Sequence, residues 1–141
     1  MAKLLLLISA LLALASPNSY AEGQVWTYKT RPQDSGSLVK IQKVEDAPSG
    51  RIYHVSFIGI HLDPTGMTVL EHAPVSQNTL DESVIRQVPD PGTFPDPRAG
   101  IAEWRQAHGG VFKITLAKIA DLAAQTVSGQ QQQPQPQSSV T

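Results

Sequence analysis

Residues 51–63, RIYHVSFIGIHLD, restrict the fold more than any other stretch of this chain. Aromatic and β-branched residues dominate the run, and turn chemistry brackets it on both sides, with DAPSG at 46–50 and DPTG at 63–66. In the second of these, proline is pre-set for a turn position and glycine is free to take positive φ. The run therefore reads as a single β-strand. Three further segments read the same way: QVWTYKTR at 24–31, SLVKIQKVE at 37–45 and MTVLEH at 67–72. Consecutive strands joined by short turns predict an antiparallel meander.

The second half changes period. In TLDESVIRQV, 79–88, Thr79 and Glu82 form a capping box, and Leu80, Val84 and Val88 recur every four residues with Ile85 beside them. A helix is expected there. DPRAGIAEWRQAHGG, 96–110, offers Asp96 as N-cap, Pro97 at the first helical position, Ile101, Trp104 and Ala107 on one face, and Gly109 as the stop. Gly100 costs this helix about 1 kcal/mol relative to alanine. VFKI, 111–114, reads as a short last strand. Thr115 then caps LAKIADLAAQTV, 116–127, whose Leu116, Ile119, Ala120, Leu122 and Ala123 make an amphipathic helix.

Strands grouped before helices predict an α+β domain: an antiparallel sheet of three to five strands with two to three helices packed on one face. A small antiparallel β-barrel with helical decoration is the alternative.

The N-terminus carries one cation at Lys3, an apolar run from Leu4 to Ala15, then Pro17 and the small-x-small triplet Ser19-Tyr20-Ala21. This is the pattern of a signal peptide, with an apolar segment too short to span a bilayer. The expected organisation is a signal peptide at 1–21, one globular domain at 22–127, and a disordered Gln/Pro/Ser-rich tail at 128–141 that has too little apolar surface to offset its ordering entropy. No membrane span is expected after cleavage. Cysteine is absent, which removes thiol chemistry and disulfides and leaves the domain to be held by its core. With no glycosylation sequon either, the pattern favours a bacterial periplasm or the extracellular space. The formal charge of −1 gives no electrostatic footprint for nucleic acid.

The four histidines are the candidates for catalytic or metal chemistry. Alternation along 51–63 puts His54 and His61 on opposite faces of the sheet. Even a bulge at Gly59 would leave them about 23 Å apart. If 63–66 closes a tight hairpin, Leu62 pairs with Met67 and His72 falls opposite Phe57, on the face of His61 and about 13 Å from it. His61, Asp63 and His72 are the weak metal candidates, short of the three converging ligands that zinc requires. No serine lies in a nucleophile motif. Asp81 and Glu82 suit a helix N-terminus, and Asp90 and Asp96 suit turns and caps.

Two places suit a ligand or partner: the stiff, proline-rich loop PDPGTFPDPR, 89–98, which carries Phe94, and an aromatic platform of Trp26 and Tyr28. For each, the competing reading is an inward, core-filling ring. The sequence leans away from an enzyme and implies no cofactor. It points by elimination to an exported, non-enzymatic binding or inhibitor-type protein contacting another envelope protein or a small ligand. The alternatives are a small histidine-dependent hydrolase or metal-binding enzyme, and a structural envelope component.

Overall fold

A computed structural model describes residues 19–64 and 66–132. Five strands form one antiparallel sheet: β1 (Val25–Tyr28), β2 (Leu38–Ala47), β3 (Gly50–Ile58), β4 (Val69–Ser76) and β5 (Val84–Val88), in the order β4-β3-β2-β1-β5. The first four make the expected meander. The sheet is open, and three helices pack on it: α1 (Gln77–Ser83), α2 (Arg98–Gln106) and α3 (Leu116–Gln132). The α+β class holds, and the barrel alternative does not. Among the described residues, no helix is long and apolar enough to cross a membrane.

The core lies on one face of the sheet. Val39 and Ile41 of β2, Tyr53, Val55 and Phe57 of β3, and Ala73 and Val75 of β4 meet Leu80 of α1 and Leu116, Ile119 and Ala120 of α3. Because side chains alternate, Ile52, His54 and Ser56 point to the other face, yet they too are buried. There Trp104 of α2 lies over His54, Gly100 abuts His72, and Gln42 reaches both Ser56 and the carbonyl of Pro95. Helices therefore cover both faces, α2 standing on the side away from the core.

Several local expectations give way to tertiary context. Residues 79–88 do not form one helix: α1 ends at Ser83, and Val84–Val88 becomes a strand on the open edge of β1. The β-branched Val84, Ile85 and Val88 suit that pairing, which tertiary contacts reward over helical spacing. The N-cap of α1 is Ser76, whose hydroxyl accepts from Thr79 N–H, and not Thr79 itself. Residues 111–114 contribute a single parallel bridge, Phe112 to Val75 on β4. The Thr115 cap is present, its hydroxyl accepting from Lys118 N–H. Helix α3 continues five residues past 127, through Gln132. Glutamine is a good helix former, and the first proline of the tail stands at 134. Residues 133–141 of the tail and residues 1–18 of the leader lie outside the described residues.

Tyr20, assigned to the leader, is 6% exposed. Its ring meets Trp26 and Tyr53 edge-on at 5.6 and 5.7 Å, and its hydroxyl donates to Asp81 Oδ1 at 2.7 Å. A cut after Ala21 would take this ring out of the core. We predict that Tyr20→Ala destabilises the domain by about 3 kcal/mol, as for other buried aromatic truncations. Urea unfolding checks this, and a loss under about 1 kcal/mol would show that the ring does not pack.

Candidate functional site

The face of the sheet beneath α2 carries a hydrogen-bonded chain of ionisable side chains from three adjacent strands. Hairpin pairing sets Glu45 opposite Ile52, so His54 is Glu45's diagonal neighbour on the same face. His54 Nε2 lies 2.5 Å from Glu45 Oε1, and His54 Nδ1 lies 2.8 Å from His72 Nε2. The His54 ring is fully buried. A buried imidazole needs a partner at each nitrogen, and these two neighbours supply both.

The meeting of His54 with His72 corrects the expected register. The Leu62 to Met67 contact is present, but Phe57 pairs with Leu70 and not with His72. An irregularity between Val55 and Phe57 then slips the register, so that Val55 pairs with Ala73. His72 stands beside His54 as a result, with ring centroids 5.0 Å apart and planes inclined by only 25°. Ser56 fills the irregularity, its hydroxyl donating to the Glu71 carbonyl at 2.6 Å.

Helix α2 closes the site. Arg105 forms a two-pronged ion pair with Glu45, at 3.0 Å to Oε1 and 3.2 Å to Oε2. Trp104 stands edge-on to His54 at 4.9 Å and donates its indole N–H to the Gly110 carbonyl. Glu71 Oε1 accepts from Gly100 N–H near the start of the helix. Glycine is required at position 100 for a reason the sequence conceals: a Cβ there would sit 2.7 Å from His72 Cβ. Gly109 likewise answers a close approach, since its Cβ would lie 2.3 Å from Trp104 Cδ1. The left-handed residue after α2 is His108, φ 50°, rather than Gly109.

Between α2 and β4 lies an open groove of about 670 Å³. Leu70, Glu71 and His72 of β4 form one wall, and Ala99, Gly100, Glu103 and Trp104 of α2 the other.

The electrostatics follow from burial. Desolvation lowers the His72 imidazole to about 4, and the neighbouring His54 adds to the effect. Desolvation also depresses His54, against the opposing pull of Glu45. Burial alone would raise the Glu45 carboxyl, but the hydrogen bond from His54 and the pairing with Arg105 outweigh it and hold Glu45 below the usual carboxylate range. At neutral pH the chain is thus a carboxylate and two neutral imidazoles.

The other candidates lie apart. His61 is exposed; its backbone N–H donates to Asp34 Oδ1 and its carbonyl accepts from Arg31 Nη2. Asp63 Oδ1 accepts from Met67 N–H in the turn. His61, Asp63 and His72 are not brought together, and among the described residues no three His, Cys, Asp or Glu side chains gather as metal ligands. Tyr28 faces inward, its ring on Phe57 and its hydroxyl bonded to Ser37, while Trp26 packs half-buried on Tyr20. These two rings supply core and form no outward platform. Phe94 is half-buried, with the Lys40 ammonium 5.9 Å above its ring and that lysine held by Asp90.

Sequence reasoning missed Glu45 and the joining of His54 to His72. The Glu45–His54 pair was readable from the turn at 46–50, since a tight hairpin fixes that diagonal. No protein-family model matches the chain, and no curated protein or solved structure matches it either.

A lowered imidazole makes stability fall on acidification. The unfolded ring takes up its proton near the ordinary value of 6.5 and the folded ring only near 4, so stability is complete above about 6.5 and declines as the pH falls towards 4. Glu45, depressed in the fold, loses its contribution in the same direction. We predict a loss on the order of 2 kcal/mol from this site between pH 7 and 4, discounted for the solvent that reaches His72. His72→Gln keeps an N–H facing His54 but cannot titrate, and should make the pH dependence shallower. Urea unfolding across this range measures both; identical slopes in the two proteins would remove His72 as the cause.

Proposed function

We propose that the chain is an exported, non-enzymatic binding protein that takes its ligand or partner into the groove between α2 and β4. The observation that carries this reading is the groove itself, walled by an indole, an aliphatic side chain and a few fixed polar groups, the usual make-up of a recognition site. Its volume of about 670 Å³ falls within the range of small-ligand sites. The groups around it are held rigidly: Trp104 by Gly110, Glu71 by Gly100 and His72 by His54. Rigid walls reduce the ordering cost of association. Export is supported by the leader pattern at the N-terminus, and a periplasmic or extracellular setting agrees with the absence of cysteine.

A second reading, a histidine-dependent hydrolase, has one observation in its favour. A carboxylate, imidazole, imidazole chain ending at a groove resembles the way acid–base residues are aligned in enzymes. Against it, the one hydroxyl on this part of β3, Ser56, donates to a backbone carbonyl and accepts from Gln42, so it is not placed as a nucleophile.

Ala99 is exposed on the groove wall, and Ala99→Arg would fill the groove without touching the core. Affinity capture from envelope extract should retain a species on the wild-type chain and on Ile85→Lys, a change at an exposed residue of β5, and lose it on Ala99→Arg. Equal retention by Ala99→Arg, with its circular dichroism unchanged, would sink the groove as the binding site. Turnover of any ester or amide substrate that collapses in His72→Gln would favour the hydrolase.

A further inference from the structure

The hydrogen-bond polarity of the groove is fixed from Glu45, on the neighbouring side of α2. An ionised carboxylate only accepts, so His54 must carry its proton on Nε2, at 2.5 Å from Glu45 Oε1. Neutral His54 then has a bare Nδ1, which obliges His72 to donate from Nε2 across 2.8 Å. Neutral His72 is left with a lone pair on Nδ1. Among the described residues no side-chain nitrogen or oxygen is both buried and unpartnered, and His72 Nδ1 has no partner among them, so solvent reaches it. This atom lies on the Gly100 side of the ring, where the groove runs. The remaining polar side chains of the groove are Glu71 and Glu103, which accept, and the indole N–H of Trp104, already donated to Gly110.

We propose that the groove selects a small molecule bearing a cationic N–H group, an amine or amidinium on an apolar stem, with His72 Nδ1 as its fixed acceptor. The stem would lie along Leu70, Ala99 and Trp104, and the charge would face Glu71 and Glu103. This rests on the groove being the binding site. Benzamidine and benzoate share a ring and differ in the sign and hydrogen-bond polarity of the head group. Titrated into the 15N-labelled full chain at neutral pH, benzamidine should shift the His72 Nδ1 resonance saturably and bind at least about tenfold more tightly than benzoate, the scale of one charge-assisted hydrogen bond. The free protein should show Nδ1 of His72 unprotonated. Glu45→Gln, which removes the charge that orders the protons, should narrow the preference. A protonated Nδ1 in the free protein, or benzoate binding as tightly as benzamidine, overturns the proposal. Loss of capture by Ala99→Arg would still stand in either case, so a wrong ligand class is distinguishable from a wrong site.

Tyr20 is part of the core, and the residues after it are held beside it: Ala21 N–H donates to Gln24 Oε1, which also accepts the indole N–H of Trp26, a ring packed on Tyr20. We infer that the leader is removed upstream of Tyr20, after Ala15, where Ala13-Leu14-Ala15 supplies the small-x-small pattern at the end of the apolar run. The exported chain would begin at Ser16 and keep the aromatic cluster. Intact mass of the protein recovered from the envelope of an expressing bacterium reads the cut. A chain starting at Ser16 supports it; one starting at Glu22 overturns it. A chain that retains Met1 overturns it together with export itself.

Discussion

The arrangement of this protein turns on one buried imidazole. His54 stands in the middle strand of the β2-β3-β4 part of the sheet with no exposed surface, and a ring there is tolerable only if both nitrogens are bonded. Glu45 and His72 meet that need from either side. Each partner then constrains something else. Glu45 draws Arg105, and with it the C-terminal end of α2, onto the sheet. His72 holds its place only through the register slip at Ser56, and its ring accepts α2 only where residue 100 lacks a side chain. The groove is what remains between a strand and a helix fixed in this way.

A second polar knot works at the opposite end of the strands. Arg31 and Asp34 are both buried, joined at 2.6 Å, and Asp34 accepts from the His61 backbone while Arg31 donates to its carbonyl and reaches Asp121 of α3. Desolvation would raise the Asp34 carboxyl, but the bonds from Arg31 and His61 hold it low. Three segments far apart in sequence are tied there by one ion pair with its remaining valences satisfied, the condition under which a buried pair is tolerated. His61, attractive as a ligand on paper, serves this knot through its main chain and through its ring, whose Nδ1 lies 3.5 Å from Asp34 Oδ1.

Much of the fold was legible because it follows from local rules. The turn at 46–50 closes the β2-β3 hairpin and Thr115 caps the last helix, whereas β3 stops at Ile58, short of the turn at 63–66, and the N-cap of α2 is Pro97 rather than Asp96. What misled was residues 84–88, where four-residue spacing mimicked a helix and only the open edge of β1 decided for a strand. The site was half legible. Glu45 and His54 follow from a tight hairpin, whereas His72 depends on a one-residue slip that no local pattern announces, because a slip is a property of two strands together. Gly100 and Gly109 were read as a helix weakness and a helix stop; their cause is a neighbouring ring, which the sequence alone does not place.

The order of the strands has a bearing on how the chain matures. β1 lies inside the sheet, between β2 and β5, and its second neighbour begins only at Val84 and is complete at Val88. The first strand made is thus among the last to be completed, and the early hairpins alone leave its free side without a partner. Such wiring delays closure of the sheet until more than half the chain is present, as long loop closures generally do. The early hairpins can thus form while one edge of the first strand still lies open, and only the arrival of β5 seals it.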